Sequence, residues 1–214
     1  MRKLYNNLLS KYGWQGWWPL LCDVPQSVRL TCYHPQDYSF PHTESERLEI
    51  SIGAILTQNT NWLNVEKALQ NLEEANLISI ERLLNVDQDE LAELIRPSGY
   101  YNQKARKLKV FCRFFNDCRN KIPCRDELLS LWGIGKETAD SILLYAYREN
   151  IMMIDAYSRR VFKEYGYSCW DLQYDELRSI CEKAMPEDYR ILQEFHALLV
   201  VAGKEIKPQK VKVG

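Results

Sequence analysis

Apolar positions recur at three- and four-residue steps along most of the chain, which is the spacing of one face of an α-helix. No stretch alternates cleanly between apolar and polar residues, as a half-buried strand would. The pattern therefore predicts an all-α fold. The helices it indicates are 1–13, one from the capping signal Thr43–Glu46 to about 57, 64–72, 80–84, 89–95, 104–115, two within about 125–147, 156–165, 174–185 and 188–202.

Two of these helices are joined by a very short turn in which Gly133 and Gly135 bracket Ile134. Glycine suits such a turn because it tolerates positive φ. The second helix starts at the turn, so its first N–H groups are free and favour an anion such as a phosphate. The apolar run beyond that helix ends in Asp155, a candidate catalytic carboxylate whose structural alternative is a cap for the next helix.

The segment before residue 46 lacks helical periodicity after its first helix. Trp14, Trp17 and Trp18 lie beside glycines and Pro19, and they either cover one end of the core or stack against a flat ring. Residues 20–45 carry three prolines and predict a long loop or insertion. Cys32, His34 and His42 lie in that segment, but they do not have the spacing of a standard metal site.

Size and composition narrow the class of protein. The 214 residues are enough for one or two compact domains. An apolar run of membrane-spanning length and a signal sequence are both missing, so we expect a cytoplasmic, nucleoid-associated protein that is neither secreted nor membrane-bound. Seven scattered cysteines without a paired spacing predict reduced thiols.

The net charge of −1 argues mildly against a nucleic-acid partner. Basic residues nevertheless concentrate just ahead of the glycine turn, and they form either one basic face or several solvated helix faces. These residues are Lys104, Arg106, Lys107, Arg113, Lys121 and Arg125.

Four motifs in sequence resemble the endonuclease III superfamily of DNA glycosylases, which carry a helix-hairpin-helix followed by an aspartate. They are 53–60 (GAILTQNT), 99–105 (GYYNQKA), 131–139 (LWGIGKETA) and 154–155 (ID). The resemblance covers roughly residues 46–166. It is strongest to the small 3-methyladenine DNA glycosylases of the helix-hairpin-helix type, through Trp17-Trp18-Pro19, Gln58-Asn59-Thr60 followed closely by an aromatic, and the Gly-Ile-Gly-Lys-Glu hairpin.

This resemblance implies two helical domains with a lesion-binding cleft between them. A six-helix barrel-like domain would span 46–150 and include the hairpin at about 125–147, and a second domain would combine 1–45 with 151–214. The implied partner is double-stranded DNA with a damaged base, which the protein would flip into a pocket and remove while acting as a monomer.

The resemblance also implies roles for individual residues. Asp155 would be catalytic, and the base pocket would contain Trp17, Trp18, Pro19, Trp62 and Lys210. DNA would be held by Gln58, Asn59, Gly133, Ile134, Gly135, Lys136 and Thr138. Gln58, which would fill the gap left by the flipped base, has as its alternative a simple helix-ending role, and the alternative for Lys210 is an unstructured basic tail.

Two departures from endonuclease III concern cofactors and reaction type. The lysine that the lyase members place two residues after the second hairpin glycine is here Glu137, so we expect base removal without strand cleavage. The last cysteine is Cys181, so we expect no iron–sulfur cluster and no required cofactor. A K⁺ or Na⁺ ion would bind the main-chain carbonyls of Leu129, Leu131 and Ile134.

Two other interpretations stay open at this stage. One is a glycosylase of the same fold for mismatched or oxidised bases, in which residues 20–45 contact the lesion. The other is a non-catalytic helix-hairpin-helix module that only binds DNA. That module would need neither Asp155 nor the tryptophan-rich loop.

Overall fold

The computed structural model describes residues 1–21, 31–118 and 121–206. Lys210 lies outside the described residues. Helices make up most of the described chain, which confirms the all-α prediction. They are α1 (Arg2–Tyr12), α2 (Glu44–Leu56), α3 (Trp62–Glu74), α4 (Ile80–Asn85), α5 (Gln88–Leu94), α6 (Tyr101–Asp117), α7 (Arg125–Leu129), α8 (Lys136–Ser141), α9 (Ala156–Glu164), α10 (Tyr174–Ala184) and α11 (Tyr189–Glu205).

Local signals in the sequence fix where several of these helices begin. The hydroxyl of Thr43 accepts the N–H of Glu46, while the Glu46 carboxylate accepts the N–H of Thr43, so the predicted capping box is present at the start of α2. Asp155 caps α9 in the same way by accepting the N–H of Ser158. In the described residues, no helix is both long and apolar enough to cross a membrane.

The structure corrects the sequence-based picture at three places. Residues Leu20–Leu21 (β1) and Thr31–Cys32 (β2) pair as a short antiparallel ribbon, a length too small for alternation to reveal. The second hairpin helix is regular only to Ser141 and continues as a π-helical turn over Ile142–Ala146, the π segment. Cys32 is disulfide-bonded, so the expectation of reduced thiols fails there.

The buried side chains form one hydrophobic cluster that includes residues from both predicted domains. The π segment lies between α2 and α11, and α11 also packs against α1 and α9. Segments from the two ends of the chain therefore meet at one place, close to the start of α9. The domain boundaries at residues 46 and 150 stay a prediction.

The basic cluster of α6 does not form one exposed face. Lys104 is only 1% exposed, and its ammonium donates to the carbonyls of Leu56 (2.8 Å) and Ser98 (2.7 Å). Burial lowers the pKa of Lys104 to about 8, because the ammonium loses its hydration. The lysine thereby joins the end of α2 to the turn before α6, two segments that belong to different motifs of the family resemblance.

We expect Lys104→Met to lower the free energy of unfolding by about 2 kcal/mol, because two buried carbonyls lose their donor. Lys67→Met is the matched control, since Lys67 is exposed on α3. Denaturant unfolding of both variants measures the difference. Equal stabilities of the two variants would show that the buried ammonium contributes nothing.

Candidate active site

Asp155 sits at the N-terminus of α9 with each carboxylate oxygen facing a different partner. Oδ1 accepts the backbone N–H of Ser158 at 2.7 Å and its hydroxyl at 2.8 Å. Oδ2 lies 3.6 Å from Nε2 of His196 on α11. The side chain is 14% exposed, so the carboxylate is held mostly out of water with a small accessible portion.

The partners of Asp155 keep it ionised. Burial alone would raise its pKa, because a carboxylate loses hydration. His196 and the Ser158 donors together outweigh that effect, and the pKa of Asp155 is lowered. A carboxylate of this kind can stabilise a developing positive charge or accept a proton from water.

The sequence did not reveal His196 as part of this site. The ring is 2% exposed, and its Nδ1 lies 2.7 Å from the hydroxyl oxygen of Tyr145 in the π segment. A signal was available, since Gln193, Glu194 and His196 interrupt an otherwise apolar stretch of helix. Buried polar residues in such a stretch need partners, and here the partners lie in other segments.

The hairpin turn depends on the first of its two glycines. Gly133 has φ of +84°, and a Cβ there would lie 2.6 Å from methylene carbons of Lys107 on α6. Gly135 has φ of −95° and nothing within 4 Å of an added Cβ. The need for glycine inferred from the sequence therefore holds at Gly133, while Gly135 offers an uncovered backbone at the start of α8.

Gln58 faces this turn from the end of α2. Its amide nitrogen donates to the carbonyl of Gly133 (3.2 Å) and the hydroxyl of Thr138 (2.9 Å). Its Oε1 accepts from Nζ of Lys107 at 2.5 Å. Both polar atoms of the Gln58 side chain are thus hydrogen-bonded within the protein, and the predicted insertion into a duplex would require an exchange of these partners.

A shallow cleft of about 480 Å³ opens where these elements meet. It brings together most of the residues predicted to hold DNA with Glu137 and Tyr174, which were not among them. The residues that line the cleft are Gln58, Asn59, Gly133, Gly135, Lys136, Glu137, Thr138 and Tyr174.

This arrangement has clear relatives. Residues 52–187 match the family model described as "HhH-GPD superfamily base excision DNA repair protein". A relative in Methanocaldococcus jannaschii, named "Putative DNA repair glycosylase MJ1434", is 41% identical over 97% of this chain and 89% of its own.

The chain belongs to the HhH-GPD superfamily. It is therefore a DNA glycosylase of base excision repair, and its helix-hairpin-helix and two-helical-domain architecture are those of the superfamily.

Two solved structures show how far the likeness extends. The 3-methyladenine DNA glycosylase of H. pylori bound to 1,N6-ethenoadenine has a TM-score of 0.67 and 31% identity, over 75% of this chain and 86% of that chain. An endonuclease III trapped as a covalent intermediate on DNA has a TM-score of 0.73 over 97% of this chain and 87% of that chain. At 23% identity the second comparison shows the fold alone.

In this HhH-GPD glycosylase the predicted pocket tryptophans have unequal surroundings. Trp18 is 7% exposed and lies against Gly53. Its ring meets those of Trp62 and Tyr145 edge-on, with 5.4 and 5.2 Å between the ring centroids. Trp17 and Trp62 are only partly buried, whereas Pro19 is buried. For the predicted base pocket, this placement favours Trp18 as a buried support and leaves Trp17 and Trp62 as the residues that would contribute exposed surface.

The loop that carries Trp17 is fixed from α11. Glu194 is 1% exposed and accepts the N–H of Gln15 at 2.6 Å and the hydroxyl of Tyr38 at 3.0 Å. The Trp17 ring then lies edge-on to His196 with 5.7 Å between centroids. The aromatic loop and Asp155 consequently share one support, although they are far apart in the sequence.

Lys136 is engaged in an ion pair within the protein. Its ammonium lies 2.5 Å from Asp175 on α10, and Arg125 contacts both Asp175 (2.8 Å) and the fully buried Asp140 (2.6 Å). This network fixes the hairpin to α10. A phosphate contact by Lys136, as the sequence predicts, would have to compete with Asp175.

The proposed cation-binding carbonyls are those of Leu129, Leu131 and Ile134, in and just before the hairpin turn. The carbonyl of Leu131 accepts the N–H of Ile134 at 3.1 Å, which leaves its second lone pair for an ion. A monovalent cation at these carbonyls stays a prediction. Among the described side chains, no group of three or more His, Cys, Asp or Glu residues has a metal-binding arrangement.

We expect Gly133→Ala to destabilise the fold by about 1–2 kcal/mol, because alanine is strained at positive φ and contacts Lys107 too closely. Gly135→Ala is the matched control and should change stability by less than about 0.5 kcal/mol. Thermal unfolding of the two variants tests this. A loss of the same size at both positions would contradict the assignment of the strained position.

Proposed function

We propose that this protein is a monofunctional DNA glycosylase that flips alkylated purines, such as 3-methyladenine, out of duplex DNA and removes them by hydrolysis. The observation that carries the proposal is the pair Asp155 and Glu137. One is an ionised carboxylate whose partner His196 also contacts Trp17, and the other is a carboxyl group where a lyase would have its lysine.

Asp155 would act on the bond between sugar and base. Cleavage of an N-glycosidic bond builds positive charge on the sugar, and a nearby carboxylate stabilises that charge. The same carboxylate can orient the attacking water or accept its proton. Anchoring by Ser158 and His196 supports this role, because a preorganised charge does not have to move during the reaction.

Glu137 supports hydrolysis without strand cleavage. Burial and then the negative charge of Asp155 raise the pKa of Glu137, while Arg159 and His196 oppose the shift. The side chain at position 137 is therefore close enough to Asp155 for their charges to interact. An amine in this position would be placed for a Schiff base with the sugar, and a carboxyl group cannot form one.

The aromatic wall supports an alkylated purine as the substrate. Methylation at N3 or N7 makes the base cationic, and a cation stacked on an aromatic face gains up to about 2 kcal/mol when it is desolvated. Trp17 and Trp62 are the candidate faces. The cationic base is also a good leaving group, so the site needs no strong acid.

The remaining residues would position the duplex. Backbone N–H groups at Gly133 and Gly135 would hold a phosphate at the start of the hairpin, and Gln58 would occupy the gap left by the flipped base. We propose a monomer acting on damaged double-stranded DNA in the cytoplasm, with Lys136 as an auxiliary contact. Removal of a mismatched or oxidised base and mere DNA binding are the alternatives that the experiments must separate.

Duplexes that each carry one lesion, including an alkylated purine, a mismatch and an oxidised base, test the substrate. We expect alkali-dependent breaks at the alkylated purine and a loss of about 10²–10⁴-fold in Asp155→Asn with duplex affinity unchanged. Asparagine caps a helix as well as aspartate does, so this variant removes the charge and keeps the cap.

Asp87→Asn is the matched control, because Asp87 caps α5 by accepting the N–H of Asp89. It should leave excision unchanged. Full activity of Asp155→Asn would exclude the proposed chemistry. Excision confined to mismatched or oxidised bases would replace the proposed substrate by the alternative.

Borohydride trapping tests the reaction type. The wild-type protein should form no covalent adduct with lesion-containing DNA. Glu137→Lys should gain one, because the new amine would lie near Asp155 and could form a Schiff base with the sugar. Glu127→Lys, on the first hairpin helix, is the control and should gain none. An adduct with the wild-type protein would show that another lysine supplies lyase chemistry.

A further inference from the structure

The buried edge of His196 faces Asp155 without a conventional hydrogen bond. Its Nε2 is inaccessible to solvent and has no hydrogen-bond partner among the described residues. Oδ2 of Asp155 lies 3.6 Å from that nitrogen, just beyond the usual range. A buried ring nitrogen in this position needs an explanation, because unpaired polar atoms are costly in the interior.

The number of available protons limits the protonation states that Nε2 of His196 can have. The single hydroxyl proton of Tyr145 can go to Nδ1 of His196 (2.7 Å) or to the carbonyl of Gln193 (3.2 Å). If it goes to Nδ1, the neutral ring must carry its own proton on Nε2. If it goes to the carbonyl, Nδ1 must donate to Tyr145, and Nε2 carries a proton only when the ring is charged.

The remaining arrangement is a neutral ring protonated on Nδ1 alone. It would point the lone pair of Nε2 at the carboxylate of Asp155, which is repulsive in a site with little water. The other two arrangements, a neutral ring protonated on Nε2 and a charged ring, both direct an N–H at Oδ2. Since Ser158 occupies Oδ1, this N–H would fix the second oxygen and the plane of the carboxylate.

We propose that His196 is a positioning residue that holds Asp155 in its reactive orientation through an Nε2–H, with Tyr145 setting the ring. This inference rests on the proposed function, because His196 is assigned as the partner of Asp155, the carboxylate on which the proposed function depends. Shortening the 3.6 Å distance between Nε2 of His196 and Oδ2 of Asp155 by only a few tenths of an ångström would make it a hydrogen bond.

The groups around His196 are few, and each comes from a different element. Asp155 faces it from α9, Tyr145 from the π segment and Trp17 from the N-terminal loop. Glu137 on α8 is a further titratable group near the ring. Glu194 on the same helix is occupied by Gln15 and Tyr38, so Asp155 is the carboxylate that the ring contacts.

The experiment compares His196→Gln with His196→Asn. Glutamine carries its amide N–H where histidine has Nε2, so it keeps a neutral donor toward Asp155, whereas asparagine is too short to reach. On duplex DNA with one alkylated purine, we expect His196→Asn to lower kcat at least about tenfold with KM unchanged. The acid limb of the pH–rate profile of this variant should move to higher pH, because Asp155 without the donor is protonated more easily. His196→Gln should stay within a few-fold of wild type and keep the wild-type acid limb.

A nitrogen-15 NMR measurement gives a readout that does not need activity. Histidine-labelled protein at neutral pH should show Nε2 in its protonated form, and Asp155→Asn should perturb that signal. An unprotonated Nε2 would overturn the proposal. Equal kcat losses in both His196 variants, with equal falls in melting temperature, would also overturn it by showing a structural role.

Asp155→Asn measured on the same duplex separates this inference from the proposed function. If Asp155→Asn is inactive and His196→Asn matches wild type in rate and pH profile, only the role of His196 fails. If Asp155→Asn is fully active, the proposed function fails as well.

Discussion

Keeping an ionised carboxylate mostly out of water is the constraint to which much of this structure responds. A buried charge is costly unless donors and dipoles replace its hydration. Asp155 is compensated by the N-terminus of α9, by Ser158 one turn later and by His196 from α11. Because α11 also packs against α1 and the π segment, the candidate catalytic carboxylate depends on elements from both ends of the chain.

The same helix connects the carboxylate to the predicted base pocket. Glu194 fixes the loop that carries Trp17, and His196 lies two residues further along. A shift of α11 would therefore move the aromatic wall and the Asp155 partner together. Through this common support, the N-terminal loop of the predicted pocket and the carboxylate of Asp155 are both positioned by α11.

The region that would contact DNA is organised by buried and half-buried positive charges. Lys104 joins the end of α2 to the turn before α6, and Lys107 lies under Gly133 while it holds Gln58. Arg125 is paired with Asp140. These basic side chains form bonds within the protein that stabilise the hairpin and the segments beside it, which is compatible with a net charge of −1 and with recognition of phosphate mainly through backbone N–H groups.

Much of the fold and part of the site followed from local patterns. Helical periodicity located the helices to within a few residues, since burial of one face imposes that spacing. The capping residues Thr43 and Asp155 were recognisable for the same local reason. The two-residue ribbon of β1 and β2 and the π segment were not, because each depends on contacts with distant segments.

The sequence by itself determined the helical fold, the glycine turn, the aspartate that follows it and the superfamily to which they belong. Each of these is encoded in neighbouring residues. Only the tertiary structure decided that Trp18 is buried behind Trp62, that Lys104 lies in the interior and Lys136 pairs with Asp175, and that His196 faces Asp155. Those facts depend on which surfaces meet when the helices pack, and residue spacing along the chain carries no information about that.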